Sequence, residues 1–395
     1  MSNSNPWHSN FSFDLTEEEK MIWDTVREFA KSEVLPLAEK IDKEHYFPKE
    51  LIPKMSSLGF MGAYVPAEYG GSDLSQFLYC LIIEELAFAC ASTSIIVSAH
   101  NSLCITPILD YGSVEQKKKY LSKLATGEWL GCFSLSEPGT GSDAASLTCT
   151  YTKHGDEYVI NGTKNWITNG PQADVTVLFA TGDKTKGYKG VTAFVHELNI
   201  KGVSRGKPED KLGIRGSGTC SLNYDQVVLT KENLLFEEGK GFNIAMHTLN
   251  GGRMGVAAQA IGIAKAAIRD ALSYSNQRKT FGKLINEHQS IQNYFAEMIC
   301  RCDAARYLNL SAAKLKDSGK PYARHAAMAK LYASEAAMYC ADKGIQIHGG
   351  YGFVTDYPAE RHLRDAKICE IYEGTSEIQK MVIASHLVKE FSENP

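Results

Sequence analysis

The run Ile371-Tyr372-Glu373-Gly374-Thr375-Ser376-Glu377-Ile378-Gln379 sets one carboxylate, Glu373, at a glycine-containing turn directly ahead of a helix. Ser376 and Gln379 have capping-box spacing, and Ile378, Met381, Val382 and Leu387 begin an apolar stripe. A carboxylate projecting from a rigid helix start suits a general base, and Gly374 lets backbone and ligand approach closely. An ordinary helix start with an acidic first turn accounts for the same spacing when it is taken alone.

Five further segments carry polar chemistry. Ser136-Glu137-Pro138-Gly139-Thr140-Gly141-Ser142-Asp143 offers backbone N–H groups and hydroxyls to a phosphate, but it lacks the lysine of a P-loop and is equally a plain loop. Trp166-Ile167-Thr168 pairs an indole that could stack on a flat cofactor with a hydroxyl for its edge; a core tryptophan at a strand end reads the same way. Arg253, after Gly251-Gly252, and Arg278, in Arg278-Lys279-Thr280-Phe281-Gly282, suit anions or simply complement helix dipoles. Gln346-Ile347-His348-Gly349-Gly350 follows a helix, where glycine is commonly a cap, and His348 has no second metal ligand at useful spacing.

These residues need a large scaffold, and 395 residues suffice for two or three domains or layers. A net charge of −4 gives no reason to expect nucleic acid or an anionic membrane as partner. The ten cysteines form no zinc pattern, and several, such as Cys80, Cys90 and Cys340, sit in apolar runs, which fits a reducing compartment. Met1–Asn10 resembles neither a secretory nor a mitochondrial presequence, and no apolar run approaches the ~20 residues of a membrane span. The expected location is the cytoplasm of a bacterium, or the mitochondrial matrix for a processed eukaryotic chain.

The hydrophobic period changes twice along the chain. Residues 14–130 read as helices: a capping box at Thr16–Glu19, a stop at Pro36, a loop at Pro66–Gly71, a helix buried on nearly all sides over Leu81–Ala91 and a capped start at Ser113–Gln116. Residues 131–235 alternate like strands at Tyr158–Ile160, Val175–Phe179, Val191–Val195 and Val227–Leu229. Gly155-Asp156, Asn161-Gly162 and Asn169-Gly170 serve as turns, which suggests a small antiparallel sandwich or barrel. Residues 236–390 return to long Ala-rich helices, Phe242–Gln277, Ile291–Ser318 and Ala323–His348, as in an antiparallel bundle.

With Phe133–Asp143, Trp166–Gly170, Arg278–Gly282, Gln346–Gly350 and Ile371–Gln379 in this order, the chain resembles the acyl-CoA dehydrogenases over almost its whole length. The resemblance implies a mainly α fold with a central β domain: an N-terminal helical domain, a middle β domain and a C-terminal four-helix bundle. It also implies FAD and a homotetramer built as a dimer of dimers. Phe133, Leu135, Ser136, Gly141, Ser142, Trp166 and Thr168 would line the flavin, with Thr375 and Glu377 completing its contacts. Arg278, Phe281, Gln289, Gln346, Gly349 and Gly350 would reach a FAD across a subunit interface.

Glu373 matches the family's base, which takes the pro-R α-proton of an acyl-CoA thioester while the β-hydrogen passes as hydride to flavin N5. The thioester oxygen is polarised by the Glu373 N–H and a FAD hydroxyl. The helix start should lower the Glu373 pKa and burial should raise it, with burial prevailing once substrate expels water. Ser142, Asn250, Arg253, Tyr372 and Gly374 would join Glu373 at the substrate; Asn250 stands where many relatives carry aspartate. Gly252 precedes Arg253, which disfavours the isovaleryl-type arrangement with its base at that point. Ser92–Leu109, Asp210–Arg215 and Ala359–His362 resemble the short-chain branch, so butyryl-CoA is the expected substrate, with branched, cyclic and dicarboxylic acyl groups left open. Electron-transferring flavoprotein is the implied acceptor. An oxygen-using oxidase or a noncatalytic flavin- or CoA-binding scaffold are the alternatives.

Overall fold

A computed structural model of the chain describes residues 15–393, so Met1–Asn10 and the Phe13-Asp14 start of the first helical block lie outside the described residues. Helix α1 (Glu17–Phe29) opens with the expected reciprocal cap: the Glu19 N–H donates to Thr16 Oγ1 at 3.2 Å and the Thr16 N–H to Glu19 Oε2 at 2.8 Å. Pro36 does not stop the helical path as expected. A wide turn over Ala30–Val34 and a tight one over Leu35–Leu37 carry the chain into α2 (Ala38–Lys43). Pro36 sits at the start of the tight turn, where its missing N–H leaves no helical bond unmade.

Helices α3 (Leu51–Ser57), α4 (Gln76–Ala89), α5 (Ala91–Ser98), α6 (Thr106–Tyr111) and α7 (Val114–Ala125) complete this block. Apart from Phe88, every residue of α4 is buried, Glu84 and Glu85 among them.

The middle strands are β1 (Gly131–Ser134), β2 (Thr150–His154), β3 (Glu157–Thr168), β4 (Val175–Thr181), β5 (Val191–Glu197), β6 (Val203–Arg205) and β7 (Thr219–Thr230). They form one seven-stranded sheet in the order β1-β4-β2-β3-β7-β6, with β5 pairing β4. Pairing is antiparallel except along one edge of β4, where β1 and the start of β2 run parallel to it. Asn161-Gly162 is not a turn but lies inside β3, where the register against β7 slips; a second slip falls between Lys164 and Ile167. At that second slip Trp166 takes φ 60°, which turns its indole out of the strand to 61% exposure.

The C-terminal block packs α8 (Gly241–Ser275), α9 (Gln289–Asp317), α10 (Ala323–His348) and α12 (Ser376–Glu393), with α11 (Ala359–Lys367) between the last two. A buried ion set ties this bundle to the first block. Lys265 of α8 reaches Glu84 and Glu85 of α4 at 2.7 and 3.1 Å, and Arg306 Nε of α9 donates to Glu84 Oε2 at 2.9 Å. Removing one partner would leave an uncompensated buried charge, at a cost of ~3–5 kcal/mol.

The stripe begun by Ile378 does not face this chain's core: Met381 and Leu387 are exposed, and only Ser376 and Gln379 of α12 are buried. Nine of the ten cysteines are buried and all are free thiols. Among the described residues no His/Cys/Asp/Glu group could hold a metal ion, and no helix is long and apolar enough to cross a membrane.

Candidate active site

Glu373 and Gly374 both take left-handed backbone, φ 52° and 94°, and turn the chain from the tight Ile368–Glu370 turn into α12. For Glu373 that conformation is strained, so the surroundings must hold it. The cap lies one residue earlier than the spacing suggested: the Ile378 N–H donates to Thr375 Oγ1 at 3.4 Å. Released from a capping role, Gln379 donates its amide to Gly374 O at 2.8 Å and Glu373 O at 3.2 Å. A side chain at 374 would meet that amide at 2.6 Å, so both space and φ require glycine.

The Glu373 carboxylate crosses to α8. A Cβ built on Gly252 would lie 2.1 Å from Glu373 Oε2 and 3.2 Å from Leu103 Cδ2. An acid at 252 and an acid at 373 would therefore compete for one place, which is the physical reason that Gly252 accompanies Glu373. Both carboxylate oxygens are buried without a hydrogen-bond partner among the described residues. Burial pushes the pKa up to about 7, against the opposing pull of the Lys330 and Arg253 charges. Burial prevails already in the free chain, contrary to the expectation that substrate was needed. Glu373 precedes the cap of α12, and the dipole effect falls off within the first turn.

Around this carboxylate the fold gathers residues distant in sequence. Arg253 is not at a helix end but buried inside α8, donating to Asn250 Oδ1 at 2.7 Å. Tyr372 is hydrogen-bonded to the buried Gln259, whose amide donates to Ala91 O at 3.1 Å. Tyr79 donates to Ser98 Oγ at 3.2 Å, and a Cβ at Gly255 would meet that oxygen at 2.7 Å. Lys330 donates to Gly374 O at 2.7 Å. Sequence reasoning singled out Glu373, Gly374, Tyr372, Asn250 and Arg253 but missed Lys330, Gln259, Tyr79 and Ser98. A lone lysine in an alanine run was the available signal for Lys330.

The residues expected to line the flavin gather at β1 and β3 and in the loop between β1 and β2. Glu137 holds the glycine turn from inside: Lys164 Nζ donates to its Oε1 at 2.7 Å and the Cys149 N–H at 3.0 Å, with both Lys164 and Glu137 side chains fully buried. Lys164 also donates to Leu135 O at 3.0 Å, and the Asn165 N–H to Ser136 O at 2.8 Å. Leu135 and Ser136 are thereby set beside Trp166 and Thr168. Phe133, half-buried in β1, packs its ring 4.9 Å from Phe179, while Gly141 and Ser142 stand exposed. The α5 exit joins this group to Glu373: the Gly131 N–H donates to His100 Nδ1 at 2.9 Å, and Leu103, three residues on, lies against Gly252. An exposed indole, open space over Gly139 and Gly141, and unpartnered buried hydroxyls at Thr140 and Ser376 fit a flat cofactor with polar edges.

The second expected cofactor group lies elsewhere. Arg278, Phe281 and Gln289 follow the far end of α8, and Gln346, Gly349 and Gly350 end α10; all six are exposed, Phe281 at 97%. Tyr274 stacks on His348 at 4.5 Å and holds the two helix ends together. Gly252 and the end of α8 are separated by roughly 35 Å at 1.5 Å per residue. Glu373, beside Gly252, is thus far along α8 from the second group.

The chain matches the acyl-CoA dehydrogenase N-terminal domain over residues 16–128, the middle domain over residues 132–227 and the C-terminal domain over residues 239–388. It is 47% identical to the mitochondrial short-chain specific acyl-CoA dehydrogenase of Mus musculus, over 96% of this chain and 92% of that one. The butyryl-CoA dehydrogenase of Megasphaera elsdenii superposes with a TM-score of 0.93 at 45% identity, covering 96% of this chain and 100% of that chain. A chain from a structure described as the electron transferring flavoprotein of Acidaminococcus fermentans also superposes at 0.93, with 47% identity over 95% of this chain and 99% of that chain. The chain belongs to the acyl-CoA dehydrogenase family.

Proposed function

We propose that the chain oxidises short-chain acyl-CoA thioesters, butyryl-CoA foremost, to trans-2-enoyl-CoA, with FAD as cofactor and electron-transferring flavoprotein as acceptor. The observation that carries this reading is the Glu373 carboxylate, buried, unpartnered and poised at about 7 against Gly252. Glu373 takes the α-proton and becomes a neutral acid, which its enclosed position favours. The Glu373 N–H makes no hydrogen bond among the described residues, which leaves it free to polarise the thioester oxygen. FAD, when bound, supplies the acceptor for the β-hydrogen and its electron pair. Phe133, Leu135, Ser136, Gly141, Ser142, Trp166, Thr168, Thr375 and Glu377 hold that flavin.

Arg278, Phe281, Gln289, Gln346, Gly349 and Gly350 serve the flavin of a neighbouring subunit, in a homotetramer arranged as a dimer of dimers. Their exposure and their distance from Glu373 support this, as do the exposed apolar residues of α12. Tyr372, Tyr79 and Leu103 wall a shallow acyl site beside the base, with Ser142, Asn250 and Arg253 toward the CoA part. Three domains, 14–130, 131–235 and 236–390, and a reducing compartment such as the bacterial cytoplasm accompany this reading.

The test is Glu373→Gln. The variant keeps yellow FAD and binds butyryl-CoA, but kcat falls by on the order of a thousandfold or more. Retention of more than about a tenth of the rate, less than ~1.4 kcal/mol of barrier, would overturn the base assignment. A bleaching screen over straight, branched, cyclic and dicarboxylic acyl-CoAs tests the acyl group, and peroxide formation would mark an oxidase instead.

A further inference from the structure

We propose that Lys330 is a positioning residue for proton abstraction: its ammonium clamps the Gly374 carbonyl and, with the Gln379 amide, fixes the left-handed turn that aims the Glu373 carboxylate. The inference rests on Glu373 being the base. Lys330 is fully buried on α10, in a segment otherwise packed through Ala326, Ala327, Ala329 and Ala333. An ammonium in such surroundings is strongly disfavoured unless it is paired and hydrogen-bonded. Its hydrogen bond goes to Gly374 O at 2.7 Å, the carbonyl that Gln379 also grips at 2.8 Å. Two donors from two different helices thus converge on one acceptor. They hold the peptide that follows the strained base residue.

Lys330 also supplies charge. Cys369, Glu370 and Glu373 face it with negative or potentially negative groups, and Arg253 of α8 faces it with a like charge. Glu377, at the start of α12, feels it as well. Glu373 in turn faces Lys330 and Arg253, with the Tyr79 and Tyr372 phenols nearby. Burial brings the lysine down to about 8, against the pull of Cys369 and Glu373, and its ammonium is held by the Gly374 carbonyl. A cation there favours the carboxylate form. Its removal raises the pKa of the base and moves the rising limb of the rate profile to higher pH.

The experiment compares Lys330→Met, Lys330→Arg and Gln379→Leu in the FAD-loaded enzyme, by steady-state kinetics with butyryl-CoA across pH and by thermal melting. In Lys330→Met, kcat at neutral pH falls on the order of tenfold with KM nearly unchanged, and the rising limb moves to higher pH. Lys330→Arg keeps the limb in place. Gln379→Leu lowers kcat without moving the limb, and with Lys330→Arg it carries the test if Lys330→Met does not fold. An unmoved limb and unchanged kcat in Lys330→Met, or loss of melting temperature alone in all three, would overturn the proposal. Glu373→Gln in parallel separates the two readings. An active Glu373→Gln removes the base itself, whereas an inactive one beside an unaltered Lys330→Met removes only the role of Lys330.

Discussion

Glu373 combines strained backbone, enclosed oxygens and two nearby cations, and burial outweighs both cations to bring its pKa up to about 7. With the ionised form required, kcat/KM should rise about tenfold per pH unit below that value and level off above it. The same shift has a consequence for stability. Its folded pKa lies above the ordinary 4.5, so between the two values the folded chain holds a proton that the unfolded chain has released. The associated stability is present below pH 4.5 and is lost as pH rises through 7. Glu373→Gln should therefore melt above wild type at pH 8, from a difference on the order of 3 kcal/mol, and match it near pH 4.5. Equal melting at pH 8, measured by calorimetry, would remove the buried charge. The carboxylate and its glycine were legible as a motif. Lys330, Tyr79 and Gln259 around it were not, because they come from α10, α4 and α8.

Helix α8 and the turn that precedes α12 meet through an absence, the missing side chain of Gly252. Gly252→Ala should push the carboxylate aside and lower kcat by on the order of a hundredfold, while flavin absorbance is retained. Undiminished turnover would contradict the close approach. Removing the cap in Thr375→Ala should cost about 1 kcal/mol and be visible in the melting curve. Serine and threonine both serve as caps, so Thr375-Ser376 is ambiguous in sequence, and the approach of Gln379 to the turn decides between them. Pro36 was misread for a related reason. Proline forbids a regular interior bond but not a change of helical pitch. Strands β3, β4, β5 and β7 announced themselves by β-branched alternation, whereas β1, β2 and β6 are too short to carry a period.

At the scale of the whole chain, the residues proposed for the flavin lie at β1 and β3, and those proposed for a neighbouring subunit's flavin lie exposed on the helical bundle. Flavin loss and subunit loss should therefore go together. Arg278→Ala is expected to lower FAD content and melting temperature, with added FAD restoring part of the latter. Full flavin occupancy and unchanged melting would remove Arg278 from the cofactor site. The acyl series is also expected to peak near four to six carbons, since each methylene in an apolar pocket is worth ~1–3 kcal/mol of discrimination. A higher kcat/KM with a long-chain, cyclic or dicarboxylic thioester than with butyryl-CoA would replace the acyl assignment and leave the dehydrogenase standing.

The sequence by itself determined the order of helical, stranded and helical blocks, because the hydrophobic period is a local property. Through five ordered motifs it also determined the family. Only the tertiary structure decided that Gly252 and Glu373 share one space, that Arg253 is buried rather than poised at a helix end, and that Lys330 and Gln379 grip the same carbonyl. Those facts depend on how helices far apart in sequence cross. Crossing is fixed by packed side chains and buried charge pairs such as Lys265 with Glu84, not by the period of any single segment.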